Sequence, residues 1–426
     1  MRETLINNFL RISKIPRESG HEEKIADFFI DVAKENNLYY FKDEYNNVLI
    51  KKKGTRPSKP IALQAHLDMV CVKSKDSDHD FRKDGIEVVI DKDKVTAKDT
   101  SLGADQGVGL SIMLTLMEDK SLLHPDLEFL FTTEEETTFN GAVHFPYSKL
   151  TSKRLINLDS ATDDSIFIGS DGDICNEFVY HGDLIENDLP SYQILIEGFP
   201  GGNSTEEVAL STNNAITTMA RLLKHQDIFL KSINGGTSEN DLATFCEVVI
   251  STNSNVTTIF KGLKASIKKI DNKKAFSKED TQNILNEILD LKCGFISNNA
   301  ASANLGYIKT SGNKVSIYYV FRSMDEKVLE QINNESKKLN NQFTINEIYR
   351  DSIWKVNYHS ELLKQYKELY FKEYSEYPLE GVFHGGIECS SIKDRIDGLD
   401  IISIGCIIKK YHTIDEVTFI SSWLKI

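Results

Sequence analysis

The sequence predicts an α/β protein large enough for two domains or for one large domain with an insertion. Three observations lead there. Short apolar runs alternate with segments of helical periodicity along most of the chain. The length of 426 residues exceeds what one core usually holds. Hydrophobic residues make up 40% and charged residues 27%, the balance of an ordinary globular chain.

Residues 3–13 and 21–36 read as helices. In the second, Ile25, Phe28, Phe29, Val32 and Ala33 recur at helical spacing. Pro16–Gly20 turns the chain between them. Strands are expected at 39–41, 47–51 and 60–65, the last running into His66-Leu67-Asp68. A hairpin over 88–90 and 94–97 follows. Thr100–Gly109 is a glycine-rich turn that enters a helix at 107–118. The strand Leu127–Thr133 stops in three carboxylates, Glu134, Glu135 and Glu136, and the strand at 155–159 ends in Asp159. Beyond a strand at 191–197 and the turn Gly198–Gly202, a helix is expected over 205–224. Elements then alternate at 244–252, 256–270, 278–291, 303–308, 314–321 and 326–340. A helix at 360–374, the turn around His384-Gly385-Gly386 and a strand at 399–404 close the chain.

The net charge of −14 argues against nucleic acid or an anionic membrane as partner. No apolar run approaches the roughly 18 residues of a membrane span. The N-terminus has no signal-peptide pattern, and the six cysteines are scattered, so the chain reads as cytoplasmic with reduced thiols.

A run of acids on its own reads as a solvated turn. Here, however, His66, Asp68, Asp105, Glu135, Glu136, Asp159 and His384 all fall at strand ends or adjoining turns. Packing such acids into a cleft is costly unless cations neutralise them. Imidazole and carboxylate together suit zinc, manganese or cobalt. In His66-x-Asp68 the period of a strand puts both side chains on one face, and a carboxylate beside a ligating His fixes its tautomer.

Ala65–Asp68, Gly103–Gly109, Thr132–Glu136, Asn157–Ser160 and His384–Cys389 together resemble the ordered motifs of the M20 metallopeptidases. The branch they are most similar to is the aminoacyl-histidine dipeptidases. Ser13–Gly20, Ser403–Gly405 and His412–Glu416 resemble that branch too.

The resemblance implies a mixed-sheet catalytic domain with helices on both faces, formed by residues 1–186 and 349–426. An α/β lid domain, 187–348, would be inserted into it. It implies two divalent ions per chain, zinc first and manganese or cobalt as alternatives, bridged by Asp105. His66 and Asp159 would complete one ion's ligands, and Glu136 and His384 the other's. Asp68 would orient His66, and Glu135 would be the general base. Arg322, Asn203 and Asn240 of the lid would contact a small peptide substrate. Asn203 stands where the family has a histidine; it can donate a hydrogen bond but carries no charge. Thr138 and Gln106 also depart from the family pattern, in place of a glycine and an asparagine. The expected activity is hydrolysis of Xaa-His or other short dipeptides. The alternatives are a related amidohydrolase or tripeptidase acting on another small acyl-amino acid, or a binding protein that retains its metals without turnover. A homodimer through the lid is left open.

Overall fold

The computed structural model describes residues 2–205, 207–338 and 341–426. Positions 206, 339 and 340, which fall in the expected helices 205–224 and 326–340, lie outside the described residues. The chain divides into two compact units. The first comprises the residues up to Ser170, Trp354–Phe383 and those from Ile387 onward; the second comprises Asp171–Ile353 with His384–Gly386.

The first unit is built on an eight-stranded mixed sheet. Its order is Tyr39–Lys42, Val48–Lys52, Leu127–Thr132, Ile61–His66, Arg154–Ser160, Asp400–Gly405, Ser165–Ser170 and Leu379–Phe383. Ile61–His66 runs parallel to both of its neighbours, with His66 opposite Thr132. Their carboxyl ends therefore share one edge of the sheet.

Period-2 alternation sends side chains to two cores. Val48, Ile50, Phe129 and Phe131 pack with the helices Glu23–Glu35 and Ala104–Glu118 on one face. Leu49, Leu130 and Leu155 pack with Ile387, Cys389 and Ile392 on the other. Phe29 stacks on Phe131 with ring centroids 4.1 Å apart. A smaller four-stranded sheet joins Val88–Asp91 and Lys94–Ala97 to the C-terminal strands Val417–Phe419 and Ile408–Lys409.

The second unit is a nine-stranded sheet with antiparallel pairings, whose core takes in the helices Ala215–Leu223 and Lys278–Asp290. Its first strand, Gly172–His181, pairs with Lys314–Ser323 and Thr344–Arg350. Those ladders place the first boundary near residue 170 rather than 186, and the second near 353 rather than 348. Neither Gly172–His181 nor Thr344–Arg350 is among the expected strands. The expected helix 205–224 is a 3-10 turn, Val208–Thr212, followed by the helix Ala215–Leu223. Asn214 divides them because its side chain caps the second helix, accepting from Ile216 N and Thr217 N. The segment 256–270 likewise separates into a single helical turn and the strand Ala265–Ile270. All six cysteines are free thiols, and no helix among the described residues is long and apolar enough to cross a membrane.

Phe29 is fully buried against Phe131. Phe29→Ala is expected to cost about 3–5 kcal/mol, read as an earlier denaturant midpoint for the first unit.

Candidate metal centre

The parallel strands of the first unit deliver their terminal residues to one edge, the usual place for ligands in open α/β sheets. His66 ends Ile61–His66, and Asp159 lies one residue before the end of Arg154–Ser160. Asp105 comes from the turn opening the helix Ala104–Glu118, where Gly103 is left-handed (φ 67°) and Asp105 and Gln106 are non-helical.

His66 is buried and central. Its Nε2 lies 3.1 Å from Asp105 Oδ1, 3.4 Å from Asp159 Oδ1 and 4.0 Å from Glu135 Oε2. Its Nδ1 faces Asp68 Oδ1 at 3.4 Å. The other oxygen of Asp105 is 3.5 Å from His412 Nε2, and the same nitrogen is 2.9 Å from Glu136 Oε2. Asp105 thus lies between two imidazoles. Two sets of donor atoms, His66 with Glu135 and Asp159, and His66 with Asp105 and Glu136, each fit within the span of one cation's ligands.

Asp68 also shapes the acidic turn. It accepts the backbone N–H groups of Glu135 and Glu136, both at 3.2 Å, and the Ser19 hydroxyl at 2.7 Å. Glu22 accepts Glu134 N at 3.1 Å, and Glu134 is left-handed (φ 55°). The Glu134 carboxylate turns back onto its own loop, accepting from Thr138 Oγ1 and Asn140 Nδ2. Thr138 is therefore part of the loop's closure. Gln106 donates to the Leu158 carbonyl at 2.5 Å and to Asp159 Oδ1 at 2.8 Å, which fixes that carboxylate.

The electrostatics are those of too many acids in one place. Burial, and then the charge of Asp159, hold Glu135 well above the usual carboxylate range. Burial raises Glu136 and Asp159 as well. Burial alone would lower His412, but Glu136 and Asp105 outweigh it and hold the imidazole up at about 11. His66 is raised for the same reason, against its own burial. Asp105 is lowered in spite of burial, by its contacts with His412 and His66. The nitrogen and oxygen donors fit divalent ions, which would take over the neutralising role that imidazolium protons otherwise fill.

The structure brings together His66, Asp68, Asp105, Glu135, Glu136 and Asp159. His384 is engaged elsewhere: its Nδ1 lies 2.5 Å from Asp171 Oδ2 and its Nε2 2.9 Å from Ser302 Oγ, all three in the second unit. His412, the first residue of the motif His412–Glu416, contacts Asp105 and Glu136 instead. Its signal is the His-x-x-x-Glu pattern close behind a buried strand. Arg322 is 1% exposed and bound to Asp173 Oδ2 at 2.8 Å, Ser204 Oγ at 3.0 Å and Asn240 Oδ1 at 2.5 Å. The side-chain oxygen Oδ1 of Asn203 accepts from Thr205 N and Oγ1.

The family model described as Peptidase family M28 matches residues 47–248. The structure of an aminoacylhistidine dipeptidase from Vibrio alginolyticus superposes with a TM-score of 0.74 at 26% identity, over 99% of this chain and 95% of that one. The chain has an M28/M20-type peptidase fold. It is 27% identical to the cytosol non-specific dipeptidase of Escherichia coli (strain K12), over 97% of this chain and 93% of the relative. An M20 family metallo-carboxypeptidase from Sulfolobus solfataricus shares the fold, with a TM-score of 0.53 at 15% identity over 100% and 97% of the two chains.

Because both imidazoles hold protons far above their ordinary range in the absence of cations, and only the neutral ring ligates, cation uptake must release protons. Zinc affinity is expected to rise with pH across the range below about 11 in which His412 holds its proton. Calorimetric titration in two buffers of different ionisation enthalpy measures the protons released. Affinity independent of pH would contradict the reading of His66 and His412 as proton-holding ligands.

Proposed function

We propose that the protein is a metal-dependent dipeptidase with a two-ion site in its first unit. The observation that carries this is Asp105 lying between His66 and His412, with Glu136 and Asp159 on either side and Glu135 beside them.

In this reading His66 and Asp159 would hold one divalent ion and Glu136 and His412 the other, with Asp105 able to serve both. The contact of His412 with Glu136 favours it over His384 for the last position. Two such ions, zinc or alternatively manganese or cobalt, would lower the pKa of a shared water and polarise the scissile carbonyl. Glu135 takes a proton from the attacking water and returns it to the leaving amine nitrogen as the C–N bond breaks. Asp68 holds the His66 ring by Nδ1 and fixes the backbone that carries Glu135 and Glu136, so the base and a ligand move together.

The second unit, in the lid role, would contact the substrate through Asn203 and Asn240. Arg322 would hold Asn240 and the Ser204 loop in place through its ion pair with Asp173. The substrate class is a short dipeptide with a free amino terminus. The names of two relatives, a cytosol non-specific dipeptidase and an aminoacylhistidine dipeptidase, support a dipeptide substrate. The name of the first of these relatives supports a cytosolic location.

Hydrolysis of a dipeptide panel that includes carnosine and its α-alanyl analogue tests the proposal, with each metal added back to chelator-stripped protein. Metal-dependent cleavage is expected. Tight metal binding with no turnover on any member would contradict it. Glu135→Ala is expected to keep both ions and lose at least about 100-fold in kcat, whereas Asp105→Ala is expected to lose both ions. Unchanged turnover in the first variant, or two ions retained by the second, would remove the corresponding role.

A further inference from the structure

The turn that delivers Asp105 is gripped from two sides by buried charges that the reaction does not use. On one side lies Glu416, 2% exposed. Its Oε2 accepts from Leu102 N at 2.8 Å and Gly103 N at 3.0 Å, and its Oε1 from Ala104 N at 2.8 Å and Asp105 N at 3.4 Å. These include backbone donors that the opening of a helix leaves without intrahelical partners, and the helix dipole favours an anion there. On the other side lies Arg17, 3% exposed. Its guanidinium donates to the carbonyls of Leu67 at 3.2 Å, Asp68 at 2.5 Å and Gly103 at 2.5 Å.

Gly103 joins the two grips, giving its N–H to Glu416 and its carbonyl to Arg17. A Cβ on Gly103 would lie 2.5 Å from Arg17 Nη2 and 2.7 Å from Met69 Sδ, and its φ of +67° is itself one that side chains avoid. Arg17 also fastens itself to the 66–68 turn through its own backbone, which accepts Met69 N at 3.1 Å.

The segments joined in this way are those that carry the donors. Arg17 ties the turn after His66, including Asp68, to the turn before Asp105. Glu416 ties the Asp105 turn to the segment beginning at His412, four residues earlier. His66, Asp105 and His412 come from three distant parts of the chain; the nearest backbone pairing between the first two turns is the isolated bridge of Lys73 with Thr100, with Ser101 N donating to the Val72 carbonyl at 2.8 Å.

We propose that Arg17 and Glu416 are a pair of positioning residues. Together they set the spacing of His66, Asp105 and His412 without touching ion or substrate. The inference rests on the two-ion dipeptidase reading above. A forked guanidinium can hold three carbonyls at fixed angles, which an ammonium cannot. A carboxylate can accept from two pairs of N–H groups, whereas an amide presents donors to one of those pairs.

The test is zinc titration of purified, folded protein, with kcat and KM on a cleaved dipeptide and the melting temperature of the chelator-stripped form. Glu416→Gln is expected to weaken binding of at least one ion by about 10–100-fold. Its kcat is expected to fall with KM little changed, and excess zinc to restore part of the rate. Arg17→Lys is expected to behave alike, and carries the test if Glu416→Gln does not fold. A lower melting temperature with wild-type zinc affinity and wild-type kcat would show a merely structural role and overturn the inference. Wild-type protein that takes up no ions would instead overturn the metallopeptidase reading, which separates the two failures.

Discussion

Asp105 is the constraint on which the first unit turns. It is a carboxylate placed among carboxylates, kept ionised by an imidazole on each side. Glu135, Glu136 and Asp159 stand close by, and burial raises the pKa of all three. Such a cluster has no benefit to stability; left without cations it is a concentration of like charge in a poorly solvated place. Its persistence in the fold is intelligible if cations complete it, and the surrounding architecture is consistent with that. The sheet supplies rigidity: two parallel strands flanked by helices on both faces fix His66 and Asp159. The turns supply aim, held by buried polar groups such as Asp68, Arg17 and Glu416 in addition to their own backbone bonds.

A second set of buried polar groups forms a connected network among the strand ends. Gln64 donates to Glu388 at 2.6 Å and to Thr132 at 3.0 Å, and accepts from Asn157 at 2.6 Å. Asn157 in turn accepts from Asp159 N and from Ser403 Oγ. Glu388 is fully buried, and that burial pushes its carboxyl up to about 8. Every central strand of the first unit therefore contributes at its carboxyl end either a donor to the site or a partner for one. A ligand is only as well placed as the groups behind it.

Much of this was legible in the sequence. The strand ends at His66, Glu134 and Asp159 stand out because apolar runs stop there in ionisable residues, and the turn at Gly103–Gly109 announces a tight entry to a helix. The second unit was less legible. Gly172–His181 and Thr344–Arg350 carry polar residues at many positions, and in both cases the strand character depends on ladder partners far away along the chain. The same limit applies to the site's last imidazole. His384 and His412 each sit beside a suggestive motif, and local pattern gives no distance to Glu136. The three-dimensional fold directs one ring to Asp171 and Ser302 and the other to Glu136 and Asp105. Arg17 and Glu416 lie inside the segments Ser13–Gly20 and His412–Glu416, but each acts on backbone atoms, so residue type alone assigns neither a role.

The most direct test of the account is the metal content of two single variants, His412→Ala and His384→Ala, dialysed side by side against trace zinc and analysed by elemental mass spectrometry. The account predicts that the His412 variant retains one ion per chain and the His384 variant two. Two ions in the His412 variant and one in the His384 variant would contradict it and return the last ligand position to His384.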